Sequence, residues 1–418
     1  MNNTCFTFPS LAPGQAAWAA DPSCRGSFGI ALLCLSTTII CIWSSVHRDI
    51  PLKRLPTMPS LIRDAPLVLV ALFAPELMFY FALNQYLCAR NLNQPGQNTT
   101  TPPRKHTFTL NHGFYAAMGG FAIKHVDSDG VETSPRKKLT YEDVAELMKE
   151  NPDLFPDLSL ESITDREKST NLAKALLIVQ VLWFCLNCIS RLAEQLPLSL
   201  LEVTTLAHGL FTLLSYAMWW SKPLNVEEPT WIAAPSRHYS LTELALAQKG
   251  YCRYLIPNAG PDAYVTFESV PRLNSFLFDT GLSFTMENMV YARALDYIVS
   301  SCIPLLYGLV HFLALSAQFP TSTERNLWRI GSVVIMSSGV LAVTSEIIVD
   351  VTERASWTRE SLRKAVRRVS DLVWNIIIPA IYTICSGYLL VESIRQLWYL
   401  PHDAYVVASW TYYIPHWA

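Results

Sequence analysis

Apolar residues in this chain fall in long runs rather than at the short spacings of soluble helices or strands. Seven runs are each long enough, or nearly so, to cross a hydrocarbon core of about 30 Å at a rise of about 1.5 Å per residue. They lie at 27–46, 66–89, 169–190, 196–221, 297–319, 330–349 and 372–391. Each is predicted to be helical, because a strand in lipid leaves backbone N–H and C=O groups unpaired. The expected fold is therefore all-α: one polytopic helical bundle over residues 1–418, with seven or eight crossings and no extended β domain. The first run starts late and lacks a basic cluster before it, which argues against a cleavable signal.

Two polar insertions interrupt the pattern, at 90–168 and 222–296. They are too long for simple connectors, and their aromatic residues predict that they pack against one another at the membrane surface. Within the first, TYEDVAELMK from Thr140 to Lys149 places Val144, Leu147 and Met148 on one face and predicts a short amphipathic helix. The apolar stretch from Thr109 to Ile123 is shorter than a span. It reads as a surface-seated or re-entrant segment, with Gly113, Gly119 and Gly120 permitting close backbone approach.

Composition supports a lipid solvent: 51% of residues are hydrophobic and 16% charged, against about a quarter charged in soluble domains. A net charge of -2 gives no basic face for nucleic acid. The expected partners are the lipid bilayer and a lipophilic small molecule, and no nucleic acid. Topology carries a conflict. Arg48, Lys53, Arg54 and Arg63 mark the first loop as cytoplasmic. On a seven-crossing count, the segment 353–371, with Arg354, Arg359, Arg363, Lys364, Arg367 and Arg368, then falls outside. Asn2 and Asn98 head glycosylation sequons that favour an exterior or lumenal side for their segments.

No Walker loop, HExxH or DDxxD is present, and the sequence implies no cofactor and no metal. Cys185 and Cys188 have CxxC spacing, but on an apolar helix they read as small hydrophobes. Cys5 and Cys24 are positioned to pair if the N-terminus is exterior. The candidate chemistry lies instead in ionisable groups inside the runs, which are costly there and functional by default. Glu76, beside Pro75, sits where a helix kinks and frees a carbonyl. Glu202 and His208 project from the 196–221 run, with Arg191 and Glu194 before it and Trp219, Trp220 and Lys222 after it as an interfacial anchor. One reading makes Arg191 and Glu202 a buried structural pair and bonds His208 to the hydroxyl of Thr204 or Thr212. The other makes Glu202, His208 or Glu76 an acid facing a cavity. His311 reads as a satisfied core histidine, and Glu346 with Asp350 as boundary carboxylates able to hold a cation.

Five pieces carry a resemblance: RGSFGIALLCLSTTIICIWSSVHRDIP from Arg25 to Pro51, APELMFYFALNQ from Ala74 to Gln85, HGFYAAMGGF from His112 to Phe121, LPLSLLEVTTLAHGLFTLLSYAMWWSKPL from Leu196 to Leu224, and YVVASWTYYIPHW from Tyr405 to Trp417. In this order the chain resembles a family of uncharacterised fungal polytopic membrane proteins. The resemblance implies a fungal, multi-pass integral membrane protein and brings no activity with it. Three functions follow from the residues. The first is an intramembrane acid–base isomerase or cyclase acting on a lipophilic, terpenoid-like substrate. The others are a transporter or channel for a small solute or ion, and a structural or signalling membrane protein.

Overall fold

The computed structural model describes residues 25–50, 60–92, 106–126, 137–139, 141–150, 156–164, 171–224, 226–235, 286–315, 317–355 and 359–408. Asn2, Cys5, Cys24, Asn98 and the final aromatic residues lie outside the described residues. The chain is mostly helical. In order it forms α1 (Ser27–Ser44), α2 (Ser60–Phe73), α3 (Pro75–Leu92), α4 (Leu110–Ala117), β1 (Phe121–Val126), β2 (Lys137–Lys138), α5 (Tyr141–Glu150), α6 (Leu160–Thr164), α7 (Asn171–Ala193), α8 (Leu200–Met218), β3 (Thr230–Pro235), α9 (Met286–Val310), α10 (Ser322–Arg354), α11 (Glu360–Leu372) and α12 (Ile378–Arg395). A π-helical turn, Val373–Ile377, joins α11 to α12.

Five helices among the described residues are long and apolar enough to cross a membrane, and a bent pair raises the number to six. The expected seven is not reached, for two reasons. The run at 66–89 is broken: Pro75 supplies no N–H, and α2 and α3 meet at Ala74 with a bend of 113°. The run at 372–391 begins in the π-helical turn, and α12 is not among the five.

α8 is the hub. It packs against α1, α3, α7, α9 and α12, and its residues from Leu200 to Gly209 are all buried. The surrounding helices turn large apolar side chains outward instead, among them Leu32 and Ile39 on α1, Leu176 and Val179 on α7, Leu306 on α9 and Val340 on α10. A soluble protein seldom leaves so wide an apolar surface uncovered.

The contacts define two ends of the bundle. At the α8 N-terminus, Leu200 N–H donates to Gln396 and Gln396 donates to the Gln318 carbonyl. This end therefore gathers the starts of α8 and α10 and the finish of α12. At the α8 C-terminus, Lys222 meets Asp49 and Gln85, and Lys174 of α7 donates to the Trp220 carbonyl. Both ends of the α2–α3 pair reach this second end, because Asp64 of α2 pairs with Arg48 at 3.0 Å and Gln85 of α3 donates to Asp49.

The insertions meet in a small sheet of order β2-β1-β3. β1 runs parallel to β3 with Phe121 opposite Thr230 and Ile123 opposite Ile232, and antiparallel to β2. α5 forms where its apolar spacing predicts and buries Val144, Leu147 and Met148 beneath this sheet. The Thr109 to Ile123 stretch becomes α4 followed by β1. Gly113 is required there, since a Cβ would stand 2.2 Å from the Ala89 carbonyl oxygen of α3.

Candidate functional site

The break between α2 and α3 creates the site. A helix that ends at Phe73 leaves its last carbonyls without partners, and their burial demands substitutes. His208, halfway along α8, supplies one: its Nε2 lies 2.9 Å from the Leu72 carbonyl oxygen. Ser386 of α12 supplies another, its hydroxyl donating to the Phe73 carbonyl at 2.6 Å. The other ring nitrogen of His208 faces the Thr204 carbonyl oxygen at 3.0 Å rather than a hydroxyl. A neutral imidazole carries one N–H and satisfies one of these two carbonyls. The imidazolium satisfies both.

Glu76 sits one residue beyond the break, in the first turn of α3, with 1% of its surface exposed. Its Oε1 accepts a hydrogen bond from the Tyr382 hydroxyl, while Oε2 is buried with no partner. A charge here is compensated by one hydrogen bond and the helix N-terminus alone. Around the break the rings pack edge to face: Phe211 on Phe79, Tyr307 on Phe211 at 5.4 Å, and Tyr307 on His208 at 6.1 Å. His311 continues the stack from Tyr307 to Trp328. Its Nδ1 lies against the Tyr307 carbonyl oxygen, which fits the core role expected of it.

Glu202 belongs elsewhere, at the α8 N-terminus. It closes a capping box with Ser199: Oε2 accepts from the Ser199 N–H and hydroxyl, and Ser199 Oγ accepts from the Glu202 N–H. Its Oε1 accepts from Arg25 at 2.6 Å. The direct ionic partner is thus Arg25, not the expected Arg191. Arg191 spends its donors on carbonyls instead, those of Pro197, Asp403, Ala404 and Val406, and so pins the C-terminal segment to the α7–α8 turn. Glu202 is committed to this cap, whereas Glu76 and His208 share the break. The structure brings together two of the expected acids and bases and separates the third.

The second end holds a polar knot that sequence reasoning took for an anchor. Trp220 is half exposed, but Trp219 and Lys222 are buried. Lys222 Nζ donates to Gln85 Oε1 at 2.8 Å and the His47 carbonyl at 3.0 Å, and pairs with Asp49 at 3.3 Å. Trp219 donates to Gln85 and stacks on His47 at 4.5 Å. Burial, then the Lys222 charge, hold the His47 imidazole well below its usual protonation range. Burial also lowers Lys222, with Asp49 opposing.

Among the described residues no group of three or more His, Cys, Asp or Glu side chains is placed to hold a metal ion. Tyr382, Ser386, Arg25, Asp49 and Gln85 were not singled out from sequence. The signal for the first two was a tyrosine and a serine in an otherwise apolar run, positions from which hydroxyls bond across helices.

These features define a helical protein with five or six helices fit to cross a membrane and two buried ionisable side chains, Glu76 and His208, at a helix break among them. A family model described as a family of unknown function (DUF8562) matches residues 6–247 and 288–417, and the chain belongs to that family. No curated protein and no solved structure matches it.

Proposed function

We propose that the protein is a multi-pass membrane transporter for a small solute or ion, with the α2–α3 pair as a re-entrant loop. The observation that carries this reading is the placement of Glu76. It stands at the tip of a pair whose two ends return to the same end of the bundle, with one carboxylate oxygen bonded to Tyr382 and the other buried without a partner. Interrupted backbone at membrane depth is tolerated where it is enclosed by protein or lines a path, and half-helix ends with a buried carboxylate are how transporters hold a substrate or proton at mid-depth. α1, α7, α8, α9 and α10 then make five crossings, and α12, lengthened at its start by the π-helical turn Val373–Ile377, makes the sixth in place of the bent pair. This count returns the chain to its starting side and puts Arg48 and the basic helix Glu360–Leu372 at the same end. The positive-inside conflict of the seven-crossing count disappears, and that end is cytoplasmic; the Asn98 sequon then falls on the cytoplasmic side and goes unused.

A second reading keeps Glu76 as an intramembrane acid for a lipophilic substrate, with Glu202 removed from the role by its cap. The rings of Phe79, Phe211 and Tyr307 near the break favour it, since aromatic faces stabilise carbocations. One experiment separates the two. Purified protein in vesicles loaded with a pH-sensitive dye is expected to dissipate an imposed proton gradient, and Glu76→Gln to abolish that flux while Tyr382→Phe lowers it. No flux from wild type, together with a lipid extract that changes between wild type and Glu76→Gln in an expression host, overturns transport in favour of the enzyme.

A further inference from the structure

Among the described residues, α11 is the one helix of more than eight residues with no buried residue, and its sequence, ESLRKAVRRVSDL, is strongly two-faced. Leu362, Val366, Val369 and Leu372 share one stripe at helical spacing. Three of them are wide open, at 49%, 61% and 50% exposure for Leu362, Val369 and Leu372. Arg363, Lys364, Arg367 and Arg368 occupy the opposite face and its flanks. Contact with α10 uses a different side: Ser370 bonds Ser345, and Arg363 donates to the Ala355 carbonyl. The apolar stripe is therefore turned away from α10, the long helix that α11 packs beside.

Length places this stripe. α10 has 33 residues, about 50 Å of helix, against about 40–45 Å for a bilayer with its headgroups. α10 starts beside the Glu324–Arg395 ion pair at the far end, so its last turns, and α11 antiparallel to them, emerge at headgroup level. Ile347, Ile348 and Val351 of α10 are exposed at the same level. Segment 359–372 carries Arg359, Arg363, Lys364, Arg367 and Arg368 against Glu360 and Asp371, an excess of positive charge that disfavours a second copy of the same face.

We infer that α11 stands among the anionic headgroups of the cytoplasmic leaflet, with Val369 and Leu372 in the acyl boundary and Arg368 and Lys364 on the phosphates, Lys364 exchanging its exposed partner Glu360 for a phosphate. α11 runs on through the π-helical turn into α12, so it stands upright beside α10 with its C-terminal end deepest, and an apolar stripe with long basic side chains on its flanks suits that crossing of the headgroup layer. The inference rests on the membrane reading above. The test uses the full chain in lipid nanodiscs, one copy per disc, comparing neutral phosphatidylcholine with discs holding about 30% phosphatidylserine. Amide exchange of 360–372 is expected to slow about tenfold or more in the anionic discs, and to return to the neutral-disc rate in high salt or in the Lys364→Gln/Arg368→Gln variant. Val369→Glu should also restore fast exchange. Equal exchange in the two lipids overturns the inference, as does protection that salt leaves untouched. Protection seen only with two copies per disc overturns it in favour of self-association. Failure of the chain to incorporate into discs would overturn the membrane reading as well, a result distinct from unchanged exchange in loaded discs.

Discussion

The Arg25–Glu202 ion pair decides which of two arginines neutralises the best-buried carboxylate at the start of α8, and a double-mutant cycle measures it. Glu202→Gln keeps an oxygen for the Ser199 N–H, so most of the cap survives while the charge is lost. Arg25→Gln removes the other partner. Breaking a fully buried pair costs about 3–5 kcal/mol, whereas an exposed one contributes about 0–1 kcal/mol. Here the carboxylate side chain is 4% exposed and the guanidinium 18%, so Arg25 regains some water when its partner is lost. The coupling energy should fall between those limits, at about 1.5–3 kcal/mol. Arg191, bonded to four carbonyls and not to the carboxylate, should couple to Glu202 more weakly. The assay is reversible unfolding in mixed micelles, followed by helicity, for wild type, both single variants and the double variant, and again for an Arg191→Gln cycle. A coupling below about 0.5 kcal/mol for Arg25 with Glu202, or a larger one for Arg191 with Glu202, would refute the assignment.

Two further outcomes follow from the packing. The buried His47 resists protonation while the unfolded chain takes up a proton below the usual value of 6.5. Stability should therefore be insensitive to this group above pH 6.5 and fall below it, by up to about 1.4 kcal/mol per pH unit. His47→Phe keeps the stack on Trp219 and should flatten that acid limb in melts taken from neutrality downward; an unchanged slope would contradict the account. Gly113→Ala should cost about 1–3 kcal/mol, because α4 must lift off the Ala89 carbonyl 2.2 Å away from the new methyl. Wild-type thermal stability of that variant in detergent would show the contact to be softer than its geometry implies.

What the sequence revealed and what it hid divide along range. Local spacing located α1, α5, α7 and α8 and marked Pro75–Glu76 as a weak point. Ser199 and Glu202 stand at the spacing of a capping box, a purely local signal, yet Glu202 was weighed as a free acid because a carboxylate in an apolar run draws attention to its charge first. Arg25 could not be found that way, since its partner lies 177 residues on. Lys222 and Trp219 carry the composition of an interfacial anchor, and only the arrival of Asp49 from the segment after α1 and of Gln85 from α3 turns them into a buried knot. The direction of the chain after Ala74 was hidden as well. A proline predicts a bend, but whether the second half continues or turns back depends on which end offers Asp49, Trp219 and Lys222 to Gln85.

The parallel pairing of β1 with β3 bears on how the molecule is assembled. The paired strands are separated by about 110 residues, and α7 and α8 lie between them. β1 has no β3 to pair with until that helical hairpin has been laid down and has brought the chain back to where it began. Until then β1 shows an open edge of N–H and C=O groups on one side, with only the two-residue β2 on the other. During synthesis the sheet is thus a late clasp, and a chain stalled before Thr230 displays an unmatched strand edge of the kind that chaperones and proteases recognise. Closing the clasp reports that the hairpin has gone in and come out again.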